Sequence, residues 1–273
     1  MGVLEALILG VVQGVTEFLP VSSSGHLVIV PELFSLSAPT LGFDIVVHVA
    51  TLLAVAGYFF PDVAKMVLSV VAPRRLRNRR EVAYWRRLLL WLVIGSIPAA
   101  LAGFPLTGFF ESLFANTFAV GIFLIVTSLL LFGADFAQGR ARGETLKLDK
   151  MRAVDALVVG CFQALAIAPG ISRSGATIAA SSFLGFDRRT AAHFSFLLSI
   201  PVILGAFVFE LKDVGGAFGG TGGWAYVAGA AAAAVSGFVA IHFLMRYVRE
   251  HRFRLFAIYT AALGLFVIVL SWA

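Results

Sequence analysis

Cysteine is almost absent. Cys161 alone stands in 273 residues, which excludes an intrachain disulfide and any metal site built on cysteines. Charge is scarce as well: 13% of residues are Asp, Glu, Lys or Arg, against 60% hydrophobic and a mean hydropathy of +0.95. So much apolar surface cannot be hidden in a soluble core of this size. Strand-like alternation is missing, and with it the closed membrane barrel. No Lys or Arg precedes the first apolar run, whose start Met1-Gly2-Val3-Leu4-Glu5 carries an acid. A secretory signal needs the opposite, so the run is read as part of the mature chain. Ala6 also stands where a myristoylation signal requires Ser or Thr.

What remains is an all-α integral membrane protein. Six apolar stretches, at about 42–60, 88–108, 116–138, 191–210, 224–246 and 254–272, are long enough to cross the hydrocarbon as helices of about 20 residues. Four more, at about 5–18, 24–34, 155–167 and 175–185, are too short, because 14 helical residues rise only about 21 Å. They form two pairs, each broken by a Pro/Ser-containing turn. Each pair reads as a re-entrant hairpin of two half-helices, whose turn is tolerated at membrane depth only where protein or a water-filled cavity satisfies its backbone.

The two hairpins are copies. At an offset of 150, Ala6/Ala156, Leu7/Leu157, Gly10/Gly160, Gln13/Gln163, Ser22/Ser172, Ser24/Ser174 and Gly25/Gly175 are identities. A second match, His48-x-x-x-Leu52-Leu53 with His193-x-x-x-Leu197-Leu198, lies in the span after each hairpin. Orientation follows from the basic residues. Placing the segments 61–87, 139–153, 186–190 and 246–254 in the cytoplasm accounts for 19 of the 21 Lys and Arg. It leaves Lys212 outside and Arg173 within the membrane. Both termini are then periplasmic, and three spans separate the hairpins, so repeat 1 (about 1–138) and repeat 2 (about 153–273) form one domain as an inverted repeat. The net charge of +6 is thus a topology signal and a contact with anionic lipids. It does not indicate nucleic acid, because the basic residues border spans.

The polar residues concentrate at the hairpin turns. Gln13 and Glu17 are four apart and share a helix face, and a carboxylate there must be paired, metal-bound or wetted. Pro20-Val21-Ser22-Ser23-Ser24-Gly25-His26 opens one half-helix, and Pro169-Gly170-Ile171-Ser172-Arg173-Ser174-Gly175-Ala176-Thr177 the other. Each offers free backbone N–H groups at the positive end of a helix dipole. Facing one another, they would enclose an oxyanion. Arg173 adds a fork suited to phosphate and needs an anionic partner at membrane depth. The serines also have a plainer use, as helix N-caps. His48, His193 and His242 read as packed residues on apolar spans.

These motifs resemble a family. Residues 13–26 are similar to the (E/Q)xxxE plus serine-rich segment of the undecaprenyl pyrophosphate phosphatases of the bacitracin-resistance type, and residues 169–177 to that family's PGxSRSxxT motif; Phe43-Asp44 and Phe194-Ser195 extend the likeness. The resemblance implies hydrolysis of undecaprenyl pyrophosphate to the monophosphate and inorganic phosphate in recycling of the cell-wall lipid carrier, in the bacterial inner membrane. It implies Glu17, Ser23, His26 and Arg173 as catalytic residues and Ser22, Ser24, Gly25, Ser172, Ser174 and Thr177 as phosphate-binding ones. Gln13 and Glu17 would hold Mg²⁺ or Ca²⁺, with Gln13 at a position where many relatives carry Glu. The attacking group stays open between Ser23, with His26 as base or acid, and His26 acting on water or directly.

Two other readings use the same features. Inverted repeats with broken helices also describe a secondary transporter or a flippase of a polyprenyl phosphate lipid. The type 2 phosphatidic acid phosphatases fail, because Ala179 stands where their histidine is required and no Arg-Pro dipeptide exists. The Arg-rich segment 73–87 reads as an interfacial helix or loop, residues 219–223 as a flexible outer turn, and the Ala-rich stretch 229–234 as a close helix-packing face, including between subunits of a homodimer.

Overall fold

The computed structural model describes residues 1–103, 105, 107–114, 116–140, 145–214 and 223–272; the glycine turn expected at 219–223 falls almost wholly outside them. Among the described residues the chain is helical throughout, with two single-turn 3₁₀ segments and one isolated bridge between Leu146 and Phe186. The half-helices emerge as read: α1 (Val3–Phe18) and α2 (Ser23–Phe34), then, past the middle of the chain, α8 (Ala153–Leu165) and α9 (Arg173–Phe183). Between them lie α3 (Leu41–Tyr58), α4 (Phe60–Val71), α5 (Arg79–Gly103), α6 (Thr107–Phe114) and α7 (Thr117–Arg140), and after them α10 (Arg188–Val214), α11 (Gly223–Tyr247) and α12 (Arg254–Leu270). The helices α3, α5, α7, α10 and α11 are long and apolar enough to cross a membrane. The stretch expected as a sixth span is α12, with 17 residues.

One element departs from the sequence reading and another takes a definite partner. The Arg-rich segment is not one interfacial piece. Pro73–Arg75 make a 3₁₀ turn, and residues from Arg79 onward are the first turns of α5. The helix before the turn, α4, folds back on α5, where Lys65 pairs with Glu81 at 3.6 Å and lies 5.4 Å from the centre of the Trp85 ring, while Arg86 Nε donates to the Ser69 carbonyl at 2.7 Å. Cationic side chains here carry apolar stems that cover the helix pair. The Ala-rich stretch, in turn, packs inside the chain. It seats α1 against α11, with Gly229 and Ala233 facing Gly10 and Gly14.

Backbone proximity sets these helix pairs. A Cβ at Gly10 would lie 2.2 Å from the Gly229 carbonyl oxygen, and one at Gly160 would lie 2.4 Å from that of Gly95. Only glycine permits such an approach. The short helix of each hairpin therefore lies along a long helix from the other half of the chain, α1 on α11 and α8 on α5. α7 pairs with α12, and the main core closes over Phe18, Phe186, Phe194, Phe196 and Phe253, all fully buried.

Candidate active site

The starts of α2 and α9 are built alike, because the sequences are alike. Ser22 Oγ accepts from the Gly25 N–H at 3.2 Å, and Ser172 Oγ from the Gly175 N–H at 3.0 Å. Each capping hydroxyl lies close to the serine two residues on, Ser24 at 3.2 Å and Ser174 at 3.1 Å. Capping is thus the immediate work of Ser22 and Ser172. It consumes the N–H of Gly25 and of Gly175. Ser22 adopts φ +71°, a left-handed conformation costly for a side chain that carries a Cβ, and such strain gathers at sites that need it.

The tips are then tied to each other. Ser24 Oγ accepts from the Gly170 N–H at 3.3 Å, and Ser174 Oγ donates to the Leu19 carbonyl at 3.1 Å. Gly170 has φ +99°, and a Cβ there would meet the Val120 carbonyl oxygen at 2.5 Å. Thr127 on α7 braces this turn twice, donating to the Gly170 carbonyl and accepting from the Ser172 N–H, both at 2.9 Å.

Glu17 is the junction of the two halves. Arg173 Nη2 donates to Glu17 Oε1 at 2.6 Å, while Gln13 Nε2 and Ser23 Oγ donate to Oε2 at 3.0 and 2.7 Å. With side-chain exposures of 7% for Glu17 and 13% for Arg173, this is a nearly desolvated ion pair, where loss of one partner is far more costly than loss of both. Arg173 Nη1 also donates to the Ser195 carbonyl at 3.3 Å. Its fork is spread between a carboxylate and a fixed backbone dipole.

The expected partners of Ser23 and His26 are rearranged. Ser23 meets Glu17, not His26. His26 Nδ1 lies 2.7 Å from the Ser22 carbonyl and therefore carries a proton, which makes Nε2 of the neutral ring an acceptor for the Tyr259 hydroxyl at 2.7 Å. Thr177 is fully buried, donates to the Arg173 carbonyl at 2.8 Å and shares a hydrogen bond of 2.6 Å with Ser195. It steadies the first turn of α9.

One residue read as plain packing, His48, lies at the same junction. His48 Nε2 is 3.8 Å from Glu17 Oε2, and its Nδ1 donates to the Asp44 carbonyl at 2.8 Å. His193, its counterpart by the repeat, pairs with Asp62 at 2.8 Å. The matched His-x-x-x-Leu-Leu pattern was the signal that could have found both. Thr127, Ser195 and Tyr259 had none, being single polar residues on long apolar helices.

Two oxygens bear on a divalent cation. Gln13 Oε1, on a fully buried side chain, and Asp44 Oδ1 are both buried without a hydrogen-bond partner. Both are hard ligands of the kind Mg²⁺ and Ca²⁺ take. Among the described residues no three His, Cys, Asp or Glu side chains are grouped around a common point, so a cation here would complete its shell with phosphate oxygens and water.

The profile of the family described as Bacitracin resistance protein BacA matches residues 6–266. A relative from Pelotomaculum thermopropionicum, described as an undecaprenyl-diphosphatase, is 40% identical over 273 residues, covering 100% of this chain and 98% of the relative. Others of the same description, from Thermomicrobium roseum and Gemmatimonas aurantiaca, are 42% and 41% identical and cover 100% and 98% of this chain, and 100% and 97% of their own lengths. A family match over residues 6–266 and relatives 40% to 42% identical nearly end to end place this chain in the BacA family of bacitracin resistance proteins.

Proposed function

We propose that the chain hydrolyses undecaprenyl pyrophosphate to undecaprenyl phosphate and inorganic phosphate, the activity named for its relatives. One observation carries the reading: Ser23 and Arg173, from opposite hairpins, contact opposite oxygens of one buried carboxylate. In the reaction Ser23 Oγ attacks the terminal phosphorus as its proton passes to Glu17. The bond from that phosphorus to the bridging oxygen breaks, and the lipid monophosphate leaves. Water then attacks the phosphoserine, the serine oxygen recovers a proton, and inorganic phosphate departs. Arg173 turns its fork from Glu17 to the transferred phosphoryl oxygens, with Ser24, Ser174 and the half-helix starts adding donors. His26, oriented by Ser22 and Tyr259, handles the second proton transfer. Gln13 and Glu17 would hold Mg²⁺ or Ca²⁺, which supplies positive charge against the phosphates when bound.

The same reading makes the short helix pairs re-entrant hairpins in six spans of opposite-facing halves. The exchange of partners, α1 on α11 and α8 on α5, supports it, as do the duplicated caps. Both termini would be periplasmic, and the prenyl tail would leave sideways between helices.

The test is phosphate release from the lipid pyrophosphate in detergent. Arg173→Ala and His26→Ala should each abolish it, and near-normal turnover in either purified variant sinks the site assignment. Phosphoserine trapped at Ser23 would establish the covalent route, and its absence in quenched-flow samples would favour direct attack by water. Cleavage of a soluble short-chain prenyl pyrophosphate separates an enzyme from a carrier, which would leave it intact.

A further inference from the structure

A cavity of about 310 Å³, lined mostly by polar residues, opens at the ends of the long helices. Its lining includes Gln138 at the close of α7, Asp187, Arg188 and Arg189 at the opening of α10, and Val248 and Arg249 just past α11. Gln138 stands eleven residues along α7 from Thr127, about 16 Å at 1.5 Å per residue. The cavity is thus remote from the paired hairpin tips.

Three guanidinium groups line this one space, and among the described residues only that of Arg188 has an acid as counter-ion. Asp187 is committed to Lys147 at 3.0 Å and to the Thr190 N–H and hydroxyl. Asp135 Oδ1 accepts from the Phe253 N–H at 3.0 Å and pairs with Arg188 Nε at 3.8 Å, too long for a hydrogen bond, while Asp135 Oδ2 is buried with no hydrogen-bond partner. Arg188 Nε is buried with no hydrogen-bond partner. Among the described residues neither Arg189 nor Arg249 forms an ion pair. Two arginines without an acidic partner at one cavity, beside a third whose Nε lacks a hydrogen bond, favour an anion. The planar forks favour phosphate oxygens.

We infer that this cavity is a binding site for a phosphate-bearing anion. Basic pockets between helix ends at a membrane surface take anionic lipid headgroups, and the half-buried Tyr247 beside it is the kind of residue that settles at that level. Free phosphate shares the chemistry.

Native mass spectrometry and thermal unfolding of the full chain in detergent separate these sources, with phosphatidylglycerol, phosphatidylcholine or inorganic phosphate added in turn. Phosphatidylglycerol should remain bound and raise the midpoint, and the double variant Arg189→Gln/Arg249→Gln should weaken that binding roughly tenfold or more, as expected for lost charge-assisted hydrogen bonds. Phosphate release from the lipid pyrophosphate by the variant should stay near wild type, since neither arginine belongs to the catalytic set. Protection by inorganic phosphate alone, lost in the same variant, would also support the site and assign its ligand to free phosphate. Equal retention of phosphatidylcholine, equal protection of variant and wild type, or no protection of the wild type overturns the proposal.

Discussion

At the scale of single residues, Glu17 and Arg173 can be read only as a pair. Removing Arg173 leaves a buried carboxylate with one counter-charge fewer, an uncompensated burial that costs about 3–5 kcal/mol. Arg173→Ala is therefore expected to lower the unfolding midpoint as well as end turnover. Adding Glu17→Gln should return most of the midpoint without restoring phosphate release. A thermal melt and a phosphate assay on the three variants check this; equal midpoints for the single and double variants would show that the pair is not coupled. Glu17, Ser23, His26 and Arg173 were legible in the sequence because ionisable groups inside apolar runs are costly and stand out. Their pairing was not legible. That Ser23 lies on Glu17 rather than His26 depends on how the first hairpin turns at Ser22, and a left-handed serine has no signature in composition.

At the scale of elements, the close helix crossings carry a testable load. Gly160→Ala would place a methyl 2.4 Å from the Gly95 carbonyl oxygen, a backbone atom that cannot swing aside. Overpacking of this kind costs about 1–3 kcal/mol, so a lower melting midpoint is expected, as it is for Gly10→Ala against Gly229. Gly57→Ala, where a Cβ meets nothing within 4 Å, is the control and should match wild type or exceed it. A second expectation concerns the start of α10. Burial pushes the Asp187 carboxyl up, but the Thr190 N–H, Lys147 and the Thr190 hydroxyl together hold it below its ordinary value. A lowered carboxylate stabilises the fold fully above the unfolded value of about 3.9 and loses that contribution as pH falls through the folded one. Asp187→Ala should therefore melt earlier than wild type at pH 7, by a cap's worth of ~1 kcal/mol, and the gap should narrow as pH drops below 4. A gap that is constant with pH would rule out the charged cap. The half-helix limits were legible to within about two residues because Pro and Ser punctuate them. The short helices α4 and α6 were missed, since charge counting assigns everything between spans to loops.

At the scale of the whole molecule, the duplicated sequence yields a site that is not duplicated. Equivalent serines cap equivalent helices, yet Glu17 aligns with Ile167, Ser23 with Arg173 and His26 with Ala176, so one half brings the acid, the serine and the imidazole and the other the guanidinium. The proposed topology opens this site to the periplasm. In a Cys161→Ser background, a cysteine introduced at Leu19 should react with an impermeant thiol reagent in intact cells, and complete protection would place the opening elsewhere.

The bridge between Glu17 and Arg173 also fixes the terms on which a substrate enters. Before any ligand arrives the guanidinium already has its counter-ion, so the empty site is close to electrically neutral and holds no waiting positive charge. In the proposed reaction, capture of a pyrophosphate is an ion exchange in which the incoming anion displaces an internal one, and affinity measures a difference between two anions. On that reading a phosphomonoester, with less charge to offer, should compete poorly with the resident carboxylate. The exchange that admits the substrate would thereby favour release of the product.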